Sequence, residues 1–166
     1  MHSLLPDYLS EVLDACGRDA GGDLALALAT LDGAVYGVGD DRSRFTIQSI
    51  SKPFAYALAI DRHGLDAVLE RVGVEPSGDA FNELSLEAGT ARPLNPMINA
   101  GALTVHALLD DETVRQGFSA FAGRDLEFDE SVLASELVTA DRDRAMAFML
   151  RSHRIVGRDV MQVVEG

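Results

Sequence analysis

Ser49 and Lys52 stand three residues apart in FTIQSISKPFAYALAI, residues 45–60, and no other pair in the chain has side chains so suited to covalent chemistry. Lys52 is the sole lysine, and the other 13 basic side chains are arginines. A guanidinium keeps its proton at any working pH. A buried ammonium can lose its proton near neutrality and then take one from a neighbouring hydroxyl. Ser49 would be an acyl-transfer nucleophile and Lys52 its base. The other reading of the same residues is a helix-capping serine beside a solvated lysine, since Ser is a common N-cap. A stabilising capping box would place Glu or Gln where Lys52 stands, and a cation there opposes the helix dipole.

The element that must position this pair is a helix, and Pro53 fixes its register. Proline lacks the N–H that an interior helical residue donates, so it belongs in the first turn. The helix therefore starts no earlier than about Ile50, with Ser49 near the N-cap and Lys52 one turn on, on the same side. Ser51 offers a competing hydroxyl but points to a different face. Apolar nearly all round, this helix is expected to be central and buried and to stop at Gly64.

Composition narrows the class. A chain of 166 residues with 47% hydrophobic content is one domain's worth. The formal net charge of -13 argues against nucleic acid and against anionic membranes, which select basic patches. Cys16 is the one cysteine and is expected on the apolar face of a helix, which suits a reducing compartment. His2, His63, His106 and His153 are scattered without metal-ligand spacing, and no metal or other cofactor is expected. With no leader-like start and no apolar run long enough to span a bilayer, a soluble cytoplasmic protein is expected.

Along the chain, apolar residues at three- and four-residue steps predict a helix over 6–16, followed by a turn at 19–23. Leu24 to Leu31 and Ala34 to Val38 read as a hairpin closed by Asp32 and Gly33, with a helix expected over the alanine face. Helices are expected at 65–72, 103–109, 113–121, 131–138 and 142–151, the last with Ala145, Phe148 and Met149 inward, and 84–94 reads as irregular. Small residues at 99–102 would let the following helix approach a neighbour closely. Val160, Val163 and Val164 begin a further apolar stripe about two turns before Gly166. One hairpin among many helices is an unbalanced set. The chain reads as a single incomplete domain, 1–166: a helix and hairpin over 1–44, the nucleophile helix over 45–64 and a helical part over 65–166.

Four stretches in order, FTIQSISKPF at 45–54, EPSGDAFN at 75–82, PLNPMINAGAL at 93–103 and SELVTADRDRA at 135–145, together resemble the serine-dependent glutaminases. The resemblance implies an α/β, β-lactamase-like fold whose C-terminal strands are missing here. It implies hydrolysis of L-glutamine to L-glutamate and ammonia through an acyl-enzyme on Ser49, with Lys52 as base and no cofactor. Asn99 matches the asparagine that hydrogen-bonds the bound amino acid, and Glu136 matches a glutamate that receives the α-ammonium group. Asp143 stands in a substrate-binding position where the family carries asparagine. Asn95, Ser77 and Asn82 are expected to serve turns. The resembling chains carry a Tyr-Ile-Pro segment where Gly21 and Gly22 run into Asp23. The tyrosines present, Tyr8, Tyr36 and Tyr56, lie in other elements. Glutamine is the expected partner, with a homo-oligomer once the fold is complete. Two alternatives stay open: a non-catalytic glutaminase-like fragment or interaction partner, and a penicillin-interacting serine acyltransferase, which also uses S-x-x-K.

Overall fold

The structure is a computed structural model that describes residues 4–17, 24–80, 82–157 and 159–165. It divides into two compact units, Met1–Thr46 and Ile47–Gly166. The turn expected at 19–23 lies outside the described residues.

In the first unit, α1 (Leu5–Gly17) packs on a hairpin of β1 (Ala25–Ala29) and β2 (Val35–Gly39). The strands pair antiparallel with Leu26 opposite Val38 and Leu28 opposite Tyr36. Strand alternation puts those four side chains on one face, and they are the half-buried ones. The alanines at 25, 27 and 29 are exposed, so the face expected to carry the helix is the open one. Bulk explains the correction, because leucine, tyrosine and valine offer far more apolar area to cover than alanine methyls. The turn forms where expected. Gly33 adopts φ +85°, its N–H donates to the Thr30 carbonyl at 2.9 Å, and the Thr30 hydroxyl donates to the Asp32 carboxylate. Cys16 is exposed, against the expectation of an apolar setting.

The second unit is built around α4 (Asn99–His106). On one side α4 meets α2 (Ser51–His63), and Val105 and Leu109 close a core with Ala55, Ala59, Val68 and Val72, flanked by Leu58, Val114 and Phe118. On its other side it meets α7 (Asp141–Ser152), where Ile98 and Ala100 pack with Met146, Leu150 and Val156. The remaining helices are α3 (Leu65–Leu69), α5 (Asp111–Ala122), α6 (Glu130–Val138) and α8 (Val160–Glu165). Asp110 and Asp129 cap α5 and α6, each accepting from backbone N–H groups of the first turn. Val160, which opens α8, is fully buried.

Helices α2 and α4 run parallel, pinned at both ends. Lys52 Nζ donates to Asn99 Oδ1 at 2.8 Å near their starts, and His63 Nε2 lies 2.8 Å from the Leu108 carbonyl near their ends. The close approach expected of the small residues at 99–102 is found at Gly101, where a Cβ would collide with the Asn95 carbonyl oxygen. Asn95 braces the same segment. Its Oδ1 accepts from the N–H groups of Met97 (3.0 Å) and Ile98 (3.2 Å), and its Nδ2 donates to the Glu75 carbonyl at 3.0 Å.

Three expectations for this unit are corrected. Helix α4 begins at Asn99, four residues before Leu103, because Asn, Ala, Gly and Ala carry no apolar period to announce a helix, and the close packing of this turn outweighs the poor helix propensity of Asn and Gly. The inward face of α7 is Met146, Ala147 and Leu150, while Ala145 is exposed and Phe148 and Met149 are each 47% exposed. Helix α2 buries only Ala55 and Ala59 completely. It forms one flank of the unit, and α4 holds the central place.

Candidate active site

Ser49 sits in a 3-10 turn, Gln48–Ile50, that feeds directly into α2. The N-cap of α2 is Ile50, which makes no side-chain cap hydrogen bond, so the capping role for Ser49 is not the one seen. Pro53 falls in the first turn of the helix, as its chemistry requires. Gln48 adopts φ +38°, a left-handed conformation that costs a residue with a side chain about 1–3 kcal/mol. The turn is exposed. Ile47 and Ile50, either side of Ser49, are 36% and 56% accessible.

Lys52 points back into the unit. Its Nζ donates to the Met97 carbonyl at 3.0 Å and to Asn99 Oδ1 at 2.8 Å, and both acceptors are neutral. Burial pulls the Lys52 amine below the ordinary lysine range, and the nearby Asp143 anion partly offsets this. The N-termini of α2 and α4 converge here. Their partial positive ends also disfavour an ammonium.

Asn99 is the first residue of the central helix α4 and reaches both flanking helices. Its Oδ1 accepts from Lys52 on α2, and its Nδ2 donates to Asp143 Oδ1 on α7 at 3.2 Å. Lys52, Asn99 and Asp143 thus form one hydrogen-bonded chain across three helices. The arginines flanking Asp143 bond other carboxylates, Arg142 to Glu83 and Arg144 to Asp141.

Glu136, on α6, joins the group from the other side, where its Oε1 accepts from Gln48 Nε2 at 3.1 Å. The residues singled out in the sequence therefore gather around one turn. Ser49 and Lys52 lie on successive turns of chain, Asn99 and Asp143 beyond the amine, and Glu136 against the residue preceding the serine. Gln48 was missed by sequence reasoning. No local signal marked it, since its left-handed backbone and its bond to Glu136 arise only on folding. Ser77 serves a turn as expected, bonding Asp79 within two residues.

A model of the glutaminase family matches residues 9–166. Glutaminase of Corynebacterium efficiens is 44% identical across 96% of this chain and 44% of its own length. Glutaminase 1 of Bradyrhizobium diazoefficiens is 45% identical across 96% of this chain and 26% of its own. Among solved structures, Mglu in its glutamate form superposes with a TM-score of 0.90 at 38% identity, covering 99% of this chain and 43% of that one. Bacillus glutaminase in 4.3 M NaCl gives 0.85 at 34% identity, covering 97% and 57%. The chain thus spans between a quarter and three-fifths of these relatives. The α/β, β-lactamase-like architecture expected from the sequence is the one it shares with them over that span. A family match over most of the chain, together with relatives above 40% identity, establishes that the chain belongs to the glutaminase family.

Proposed function

We propose that this chain carries the nucleophile side of a glutamine-hydrolysing site, with Ser49 as nucleophile and Lys52 as its base. The observation that carries the reading is the setting of Lys52. Its nitrogen is held by two neutral oxygens, in surroundings that favour the uncharged amine, one turn after a serine on a strained and exposed turn. The solved relative bound to glutamate supplies the substrate class.

In the proposed reaction Ser49 Oγ attacks the side-chain amide carbon of glutamine while its proton passes to neutral Lys52 Nζ. The tetrahedral intermediate collapses by breaking the carbon–nitrogen bond. Lys52 returns the proton to the leaving nitrogen, which departs as ammonia and leaves a glutamyl ester on Ser49. Water then attacks the ester carbon, again losing a proton to Lys52, and glutamate leaves as Ser49 regains its hydrogen. A positioned base of this kind is worth about 10²–10⁴ in rate. Glu136 would receive the substrate's α-ammonium group. Asn99, held by Lys52 and Asp143, would present its amide edge to the amino acid.

The test compares the wild-type chain with Ser49→Ala. Ammonia release from L-glutamine is measured, together with stoichiometric labelling by a glutamine analogue bearing a diazoketone in place of the amide, located by peptide mass spectrometry. Wild type is expected to label at Ser49, and the variant to lose both label and ammonia release. Equal ammonia release from both chains, or labelling at another residue, overturns the reading.

A further inference from the structure

We propose that Asp143 is a positioning residue for the Lys52 amine. It acts through Asn99 to fix which end of that amide faces the lysine, and by its charge it sets the pH at which the amine can serve as a base. The proposal rests on the function argued above for its catalytic consequence, and on geometry and charge for its physical content.

The geometry is the chain Lys52 Nζ to Asn99 Oδ1, 2.8 Å, and Asn99 Nδ2 to Asp143 Oδ1, 3.2 Å. An ammonium only donates and an ionised carboxylate only accepts, so an amide between them has one favourable orientation. Turned over, it would set NH2 against the ammonium and its oxygen against the carboxylate. An asparagine at 143 could rotate its own amide to suit either arrangement. The carboxylate cannot. The orientation matters because Asn99 Oδ1 accepts a hydrogen from the amine, so that once the nitrogen is neutral its lone pair is not drawn toward Asn99. A reversed Asn99 would offer an N–H to that lone pair and compete with the serine proton.

The charge effect follows from where the ionisable groups lie. Helix α7 brings Asp143 up to Asn99, with Arg142 and Arg144 bonded to Glu83 and Asp141. Glu136 of α6 takes the Gln48 amide. The charged groups of α5 start at the far end of α2, where Asp110 bridges Arg62 at 3.3 Å and Glu112 holds Arg115 at 2.6 Å. Ten residues separate Arg62 from Lys52, about 15 Å along a helix. Asp66 of α3 and His106 of α4 follow the same end, where His63 meets Leu108. Asp143 is therefore the anion whose field reaches the amine most directly, and it favours the charged form, opposing burial.

Because Lys52 is the one lysine in the chain, lysine labelled with carbon-13 at Cε gives a single resonance that reports its protonation without any assay. The full chain, Asp143→Asn and Asp143→Glu are titrated side by side, and the pH dependence of Ser49 labelling by the diazoketone analogue is followed in each. Asp143→Asn is expected to move the midpoint to lower pH and to lower the labelling plateau several-fold at high pH, where the amine is neutral in every variant. Asp143→Glu, which keeps the charge, should stay near wild type in midpoint. Coincident midpoints for wild type and Asp143→Asn overturn the proposal. A midpoint shift in a chain that never labels at Ser49 upholds the Asp143–Lys52 coupling and removes the proposed hydrolysis.

Discussion

At the scale of single residues the decisive choice is lysine rather than arginine at position 52. Arginine would keep the charge and could donate to the same two oxygens, those of Met97 and Asn99, but it cannot give up a proton in this range. Lys52→Arg is therefore expected to fold with near wild-type stability and to label Ser49 about 10²–10⁴ times more slowly. The two measurements are a denaturant melt and the labelling rate; an arginine variant that labels at wild-type speed would take the base role away from this position. Much of this scale was legible, because a chain that otherwise uses arginine advertises its single lysine. The residues it would work with, Asn99, Glu136 and Asp143, are ordinary polar side chains and could be found only through the motifs around them. Gln48 could not be found at all, because its left-handed backbone and its bond to Glu136 come from folding that no local pattern announces. The same turn explains why Ser49 is not the cap. The helix takes a tight lead-in that draws the serine out of the capping position.

At the scale of elements the arrangement depends on how closely α4 can approach the extended segment before it. Gly101 and Ala100 are fully enclosed, and the Asn95 carbonyl occupies the space where a side chain at 101 would begin. Gly101→Ala gains helix propensity of about 1 kcal/mol but must push backbone aside, at about 1–3 kcal/mol, so a net loss is expected. Because Asn99 sits two residues away, the displaced helix start should also slow Ser49 labelling. Denaturant midpoints and labelling rates of the pair check this, and a variant as stable and as reactive as wild type would show that the segment yields freely. The sequence announced most helices but not their limits or faces. Helix α4 began unannounced because Asn, Ala, Gly and Ala carry no apolar period. Helix α7 was placed one step out of phase, since Ala145, Phe148 and Met149 trace a stripe beside the true one at Met146, Ala147 and Leu150. The end at Gly64 was readable. Its N–H closes on the Ile60 carbonyl at 2.8 Å, and its φ of +81° is one that a glycine takes without strain.

At the scale of the whole molecule the strongest influence is charge. Twenty-seven acidic side chains face 14 basic ones, a formal balance of -13. Two of the pairs, Arg62 with Asp110 at 3.3 Å and Arg142 with Glu83 at 3.2 Å, have both partners about half exposed. Exposed pairs of this kind are worth about 0–1 kcal/mol each, and salt weakens them. Salt also screens the repulsion among the unmatched carboxylates, which act over longer distances and outnumber the pairs. Several surface carboxylates, those of Glu87, Asp110, Glu112 and Asp129, are held below the usual range by hydrogen bonds. They therefore stay ionised at neutral pH and keep contributing to the excess, and the contacts that lower them are lost only as pH falls through their folded values. Raising NaCl from about 10 mM to about 200 mM at pH 7 shortens the screening length from about 30 Å to less than 8 Å. The melting temperature is expected to rise by about 2–5 °C, with KCl giving the same result because the effect is one of ionic strength. Calorimetry at matched pH checks it. A fall in melting temperature would mean that the discrete ion pairs outweigh the net repulsion, and a rise confined to one cation would point to a specific binding site in place of screening.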